Sequence, residues 1–142
     1  MTSNEDEESH KGYRFGQLTG DVIAACREVA RELGSGFAEI TYQRSLAIEL
    51  TKRNIPFKRE AELTIYYKDE AVDVRYADFL VVGKLIVELK AVKELTEEHI
   101  AQLAMYLKAA RFRLGLLVNF GEKFVRIRRV INFQAPDAFD EP

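Results

Sequence analysis

Tyr76-Ala77-Asp78-Phe79-Leu80-Val81-Val82 and Leu85-Ile86-Val87-Glu88-Leu89-Lys90-Ala91-Val92 read as two apolar β-strands joined at a turn around Gly83. Each carries charge where a buried strand ordinarily has none. A carboxylate or ammonium taken out of water needs a counter-charge, hydrogen bonds or a metal to remain there. Side chains alternate across a strand, so Glu88 and Lys90 project from one face. Whether Asp78 joins them depends on register. A three-residue loop, Val82-Gly83-Lys84, sets Asp78 directly opposite Glu88. A two-residue loop, Gly83-Lys84, sets them on opposite faces unless a bulge intervenes.

The rest of the chain supplies elements around this hairpin. Apolar residues at 18, 22, 23, 26, 29, 30 and 33 keep the helical period, and Gly34-Ser35-Gly36 ends that helix. A second helix is expected from Phe37 to about Arg53, stopped by Asn54 and Pro56. The alternation Ala61, Leu63, Ile65, Tyr67 predicts a half-buried strand over 57–67, followed by a turn at Lys68-Asp69-Glu70. Strands are expected over 72–82 and 85–92. Thr96 is placed to cap a third helix reaching about Arg111, with Glu97 and Glu98 near its positive end. Two further strands, 114–120 and 124–131, flank a turn at Gly121. The order α-α-β-β-β-α-β-β predicts an α/β fold, a mixed sheet flanked by helices.

Composition sets bounds. The chain has 142 residues, 47% of them hydrophobic, enough for one domain with a proper core. No apolar stretch approaches the ~20 residues of a membrane span, and the acidic start resembles no secretory signal. A single cysteine, Cys26, excludes an internal disulfide and suits a reducing cytoplasm, where we expect the protein. One Cys and two His rule out a Cys/His zinc cluster, so a metal here is expected to be hard and oxygen-bound. The net charge is −2, but residues 1–10 hold four acids and 135–142 hold three. Setting those seven aside from the 23 leaves 16 acids against 21 bases, +5 for the body. The expected organisation is an acidic flexible tail over 1–14, one domain over 15–134, and an acidic tail over 135–142. A mildly basic body is compatible with nucleic acid. Arg126, Arg128 and Arg129 lie on an alternating segment that reads as an exposed strand face, with phosphate contact as the functional alternative.

Asp78, Glu88 and Lys90 together are the residue types that metal-dependent phosphodiester cleavage requires. Two carboxylates, with the Leu89 main-chain carbonyl, would hold Mg²⁺ or Mn²⁺ against the phosphate. Lys90 would orient or deprotonate the attacking water, or hold transition-state charge. A cross-strand ion-pair network is the structural alternative. Gln102 and Tyr106 are four apart on the third helix and stack on one face. Gly36, Glu39 and Tyr42 form a second pattern at the start of the second helix.

These motifs together resemble the GxxExxY family of the PD-(D/E)xK nuclease superfamily, over residues of about 15–133. Gly36, Glu39 and Tyr42 match the name-giving motif. Asp78 matches the superfamily's acidic residue, and Glu88 and Lys90 its (D/E)-x-K. Gln102 and Tyr106 are similar to a helical Q-x-x-x-Y motif of RecB-type nucleases, and Asn119-Phe120-Gly121 matches the family's usual strand end. Ala77 stands where the superfamily's short label has proline. The resemblance implies a restriction-endonuclease-like core. It also implies Glu39 as an added metal-site carboxylate, with Gln102 and Tyr106 positioning site groups or contacting nucleic acid.

The expected function is therefore a Mg²⁺- or Mn²⁺-dependent nuclease acting on DNA rather than RNA. The alternative is a non-catalytic nucleic-acid-binding or assembly module that keeps the fold. A core this small has little surface for sequence readout, so low specificity, a homodimer or a targeting partner protein is expected. His99 reads as a surface residue. Glu60 has a secondary claim on the site. Lys52, Arg53, Lys58 and Arg59 read first as a solvated basic bend.

Overall fold

The computed structural model describes residues 15–136. The tail readings made above for 1–14 and for 135–142 lie outside the described residues, except at Ala135 and Pro136; Ala135 is buried and its carbonyl accepts from Arg113. Among the described residues three helices, α1 (Phe15–Leu33), α2 (Glu39–Lys52) and α3 (Glu97–Ala110), accompany five strands. These are β1 (Phe57–Tyr67), β2 (Glu70–Val81), β3 (Leu85–Lys90), β4 (Leu114–Asn119) and β5 (Arg126–Ile131). The element order is the one the sequence predicts. The strands form one sheet in the order β1-β2-β3-β4-β5. All neighbours are antiparallel except β3 and β4, which run parallel because α3 carries the chain back across the sheet. Among the described residues no helix is long and apolar enough to cross a membrane.

Local chemistry explains the boundaries. Gly36, at φ +115°, turns the chain so that α2 starts at Glu39 rather than at Phe37. Asn54 at φ 58° and Pro56 end it. Thr96 caps α3 through its hydroxyl, which accepts the His99 N–H, while His99 Nδ1 accepts the Thr96 N–H. The loop after β3 begins at Ala91, two residues earlier than the apolar run suggests. There the Asn119 side chain, fully buried, acts as a surrogate peptide: it accepts the Val92 N–H at 3.0 Å and donates to the Val92 carbonyl at 2.9 Å. Those bonds take the Val92 peptide out of the sheet. The same side-chain oxygen of Asn119 accepts the Gly121 N–H. β5 likewise starts two residues late, at Arg126, because 121–125 form the bend that precedes it.

The sheet separates two cores. Leu18, Val22, Cys26, Leu46 and Leu50 from α1 and α2 pack with Phe79, Val81, Val87, Leu116 and Val118. On the other side Leu103 and Leu107 of α3 pack with Leu63, Ala77, Ile86 and Leu117. Strict alternation would keep Ala77 and Phe79 on one face, yet they belong to opposite cores. The change of side falls at Asp78 and at the residue the register sets across from it, Glu60, whose φ is 48°. The outer part of the β1–β2 hairpin is solvated, and Tyr67, expected to point inward, is 62% exposed. It lies past a register shift at Ile65/Tyr66, where the strict alternation of β1 against β2 is lost.

Candidate functional site

The β2–β3 hairpin adopts the three-residue loop. Its pairs are Val81↔Leu85, Leu80↔Ile86 and Phe79↔Val87, with Val82, Gly83 and Lys84 between. Val82 takes φ 54°, unfavourable for a β-branched residue, and is held there by burial and by its N–H donating to the Pro56 carbonyl. The same register continued one step sets Asp78 against Glu88. At that step side chains take the place of main-chain bonds. The Asp78 N–H donates to Glu88 Oε1 at 3.2 Å, and the Leu89 N–H donates to Asp78 Oδ2 at 2.7 Å. Each carboxylate is thus oriented by the other strand's backbone.

α2 approaches the pair with one face. Gln43, one turn after Glu39, is 4% exposed, and its amide nitrogen donates to Asp78 Oδ1 at 2.9 Å and to Glu60 Oε1 at 3.0 Å. Its amide oxygen accepts from Arg59 at 2.9 Å. Glu39 feels the charges of Lys90, Asp78 and His99, so it faces the same region. Tyr42, by contrast, turns into the core. It stacks on Phe120 with 4.5 Å between ring centroids and donates its hydroxyl to the Gly34 carbonyl at 2.6 Å. Gly36 bends the entry loop, Tyr42 pins it, and Glu39 is thereby presented at the helix start.

From the other side α3 contributes His99, Gln102 and Tyr106, which line one small cleft with Glu88, Lys90, Leu103 and Leu117. The Gln102 amide donates to the Tyr106 hydroxyl at 3.3 Å. His99 is therefore not a plain surface residue: it caps α3 and faces the cleft. The sequence-predicted residues Glu39, Asp78, Glu88, Lys90, Gln102 and Tyr106 come to one region, with Leu89 carrying the N–H that fixes Asp78. Gln43 was missed. The signal available for it was its position four residues after Glu39, which stacks the two on one helical face. Glu60 joins through Gln43.

Burial, and next the Asp78 charge, push the Glu88 carboxyl from 4.5 up to about 8, against the opposing pull of the Asp78 N–H and Lys90. Burial also raises Asp78, partly offset by its bonds from Leu89 and Gln43, while Glu60 raises it further. Glu39 is raised by burial, with Lys90 acting the other way. Three carboxyls are therefore held in a place that disfavours their charge, and Lys90 makes no direct ion pair with any of them among the described residues. Among those residues no three His, Cys, Asp or Glu side chains stand close enough to form a metal cluster by themselves. Two aligned carboxylates with free lone pairs nonetheless fit a hard cation of the Mg²⁺ kind, which keeps several waters and takes few protein ligands.

Residues 16–130 match the family model of the PD-(D/E)XK nuclease superfamily. The chain belongs to the PD-(D/E)XK nuclease superfamily. Its sheet, order of elements and flanking helices are consistent with the restriction-endonuclease-like fold of that superfamily. No curated protein matches the chain. One solved structure, of SSO0001, is similar at 17% identity over 82% of this chain and 68% of that one, with a TM-score of 0.44, a likeness too slight to carry argument.

Proposed function

We propose that this PD-(D/E)XK protein is a metal-dependent nuclease hydrolysing phosphodiester bonds, in DNA rather than RNA. The observation that carries this is the reciprocal lock of Asp78 and Glu88 across the β2–β3 hairpin, with Lys90 on the same cleft as Glu88. An ordinary cross-strand ion-pair network would place Lys90 directly on a carboxylate. Here carboxyl groups are gathered where their charge is disfavoured and the ammonium stands apart, an arrangement that costs stability unless a further cation or a substrate balances it.

In this reading Asp78, Glu88 and the Leu89 carbonyl would hold Mg²⁺ or Mn²⁺, with Glu39 an added carboxylate facing the site from α2 rather than a third ligand already in place. A divalent cation there supplies positive charge against the phosphate and makes a water easier to deprotonate. Lys90 orients the attacking water and stabilises the charge that develops on the phosphate oxygens. Gln102 and Tyr106, bonded to each other beside Glu88, position site groups or hold the nucleic-acid backbone. The distinct places of Gly36, Glu39 and Tyr42 support the GxxExxY branch: a bend, a site carboxylate and a core latch.

The test is cleavage of labelled single-stranded DNA, duplex DNA and RNA with Mg²⁺ or Mn²⁺, beside Lys90→Ala. Expected is metal-dependent cutting of DNA that the substitution lowers by about 100-fold or more, with the unfolding midpoint kept. Absence of cutting by the unsubstituted protein on every substrate and metal would refute the reading in favour of a non-catalytic module.

A further inference from the structure

We infer that Gln43 is a positioning residue for the cation site, its amide clamped by Arg59 so that its two N–H groups fix Asp78 and Glu60. The inference deepens the nuclease reading and rests on it for the identity of the site. The geometry settles which way the amide points. Arg59 has only donors to offer, so the atom it contacts at 2.9 Å must be the Gln43 oxygen. The nitrogen then faces Asp78 Oδ1 at 2.9 Å and Glu60 Oε1 at 3.0 Å, using both of its hydrogens.

Asp78 is consequently held at both oxygens. Oδ1 accepts from Gln43 and Oδ2 accepts the Leu89 N–H at 2.7 Å, so the carboxylate plane cannot rotate. Each oxygen keeps a further lone pair for a cation. Glu60 is drawn from β1 to the same amide, at the point where that strand takes φ 48°. Its charge acts on Asp78 across this short distance.

A neutral side chain suits this duty. A lysine in the same place would satisfy both carboxylates with its own charge and compete with the cation. The glutamine fixes their geometry and leaves their charge uncompensated. Arg59, which does carry charge, is kept one hydrogen bond away, behind the amide. Groups that orient metal ligands in this manner commonly alter metal affinity by about 10–100-fold when removed.

The test is calorimetric titration of Mn²⁺ into the full chain, with thermal unfolding and DNA cleavage measured in parallel, for four variants. Gln43→Met keeps the length and apolar packing but donates nothing, and is expected to weaken Mn²⁺ binding by about tenfold or more at a temperature well below its unfolding midpoint. Gln43→Lys is expected to bind Mn²⁺ more weakly still while raising the midpoint of the metal-free protein. Arg59→Met, which frees the amide without touching a carboxylate, is expected to weaken binding several-fold. Glu60→Gln is expected to weaken it too. A residue that merely supports the fold would lower the midpoint of Gln43→Met and leave Mn²⁺ affinity unchanged; that result overturns the inference. Should Gln43→Met fail to fold, wild-type affinity in Arg59→Met overturns it instead. Failure of the unsubstituted chain to bind Mn²⁺ overturns it as well. Weakened binding in a protein that never cuts nucleic acid upholds the role of Gln43 and refutes the nuclease reading alone.

Discussion

Replacing Glu88 with glutamine should stabilise the metal-free protein at alkaline pH, although it removes a residue central to the proposed activity. In the fold the Glu88 carboxyl is raised from 4.5 to about 8 by burial and then by Asp78. Between those two values the native state keeps a proton that the unfolded chain has released. Stability therefore falls as pH rises through this window and levels off above about 8. The full gap corresponds to roughly 5 kcal/mol. Water entry and relaxation where the two strands part should reduce the realised effect to about 2–3 kcal/mol. The amide introduced by Glu88→Gln would keep an oxygen to accept the Asp78 N–H and would carry no charge against Asp78. Thermal unfolding in the presence of a chelator, at about pH 4 and about pH 9, brackets the titration and gives the comparison. At the alkaline pH Glu88→Gln should melt roughly 10 °C above the unsubstituted chain, and at the acidic pH the two should nearly coincide. Saturating Mg²⁺ at the alkaline pH should raise the unsubstituted chain and leave the variant almost unmoved. A variant that melts at or below the unsubstituted chain at the alkaline pH, or an equal gap at both pH values, would refute the picture of a strained carboxylate pair awaiting a cation.

Other perturbations test the frame around the site. A Cβ on Gly121 would lie 2.2 Å from the Val92 carbonyl oxygen, so Gly121→Ala should cost about 3 kcal/mol or more in denaturant unfolding. Asn119→Leu strips partners from the Val92 and Gly121 N–H groups and should cost about 2–4 kcal/mol, with cleavage reduced because the loop leaving Lys90 loses its anchor. Tyr42→Phe removes the hydroxyl that bonds the Gly34 carbonyl and should cost about 1 kcal/mol, read from the same unfolding curves. Cys26 is fully buried and its thiol is pushed up to about 12 by burial, so a thiol reagent should label it only at the rate at which the native state opens.

Much of this arrangement could be read from local pattern. The helical period over 18–33, the cap at Thr96 and the apolar runs around Asp78 and Glu88 are short-range signals, and the elements they predict are present. The hairpin register needed one further fact, the loop length, which sequence left open between two values. What could not be read depends on contacts distant in the chain. Val92 leaves the sheet because Asn119, 27 residues on, captures its peptide. Gln43 carries little local signal on α2 because the carboxylates that give it meaning, Glu60 and Asp78, are on β1 and β2. His99 combines a local role, capping α3, with a distant one, facing Glu88 and Lys90 across the cleft. Pattern alone shows neither, since a histidine three residues after a capping threonine is unremarkable in composition.

The change of side within β2 explains why the site forms where it does. Ala77 packs with Leu63 in the core under α3, whereas Phe79 packs under α1 and α2, 5.6 Å from the Phe57 ring in an edge contact. Asp78, between them, belongs to neither core. It lies where the two meet, so α2 can reach it with Gln43 while α3 brings Gln102 and Tyr106 to its cross-strand neighbour Glu88. A regular strand would have given Asp78 to one layer and denied it to the other. The positive φ of Glu60 and the side-chain bonds that replace the ladder at Asp78 and Glu88 belong to that same departure from regularity. Strain of this kind persists only where the surroundings fix it firmly, and here two separate cores do so. Loosening either one, by Phe79→Ala from one side or Leu103→Ala from the other, should therefore disturb the carboxylate pair more than its distance from the site suggests. At a cost of about 3–5 kcal/mol for each truncation, cation affinity should fall in both variants even at temperatures where they remain folded. Undiminished affinity in either would mean that one core alone sets the geometry.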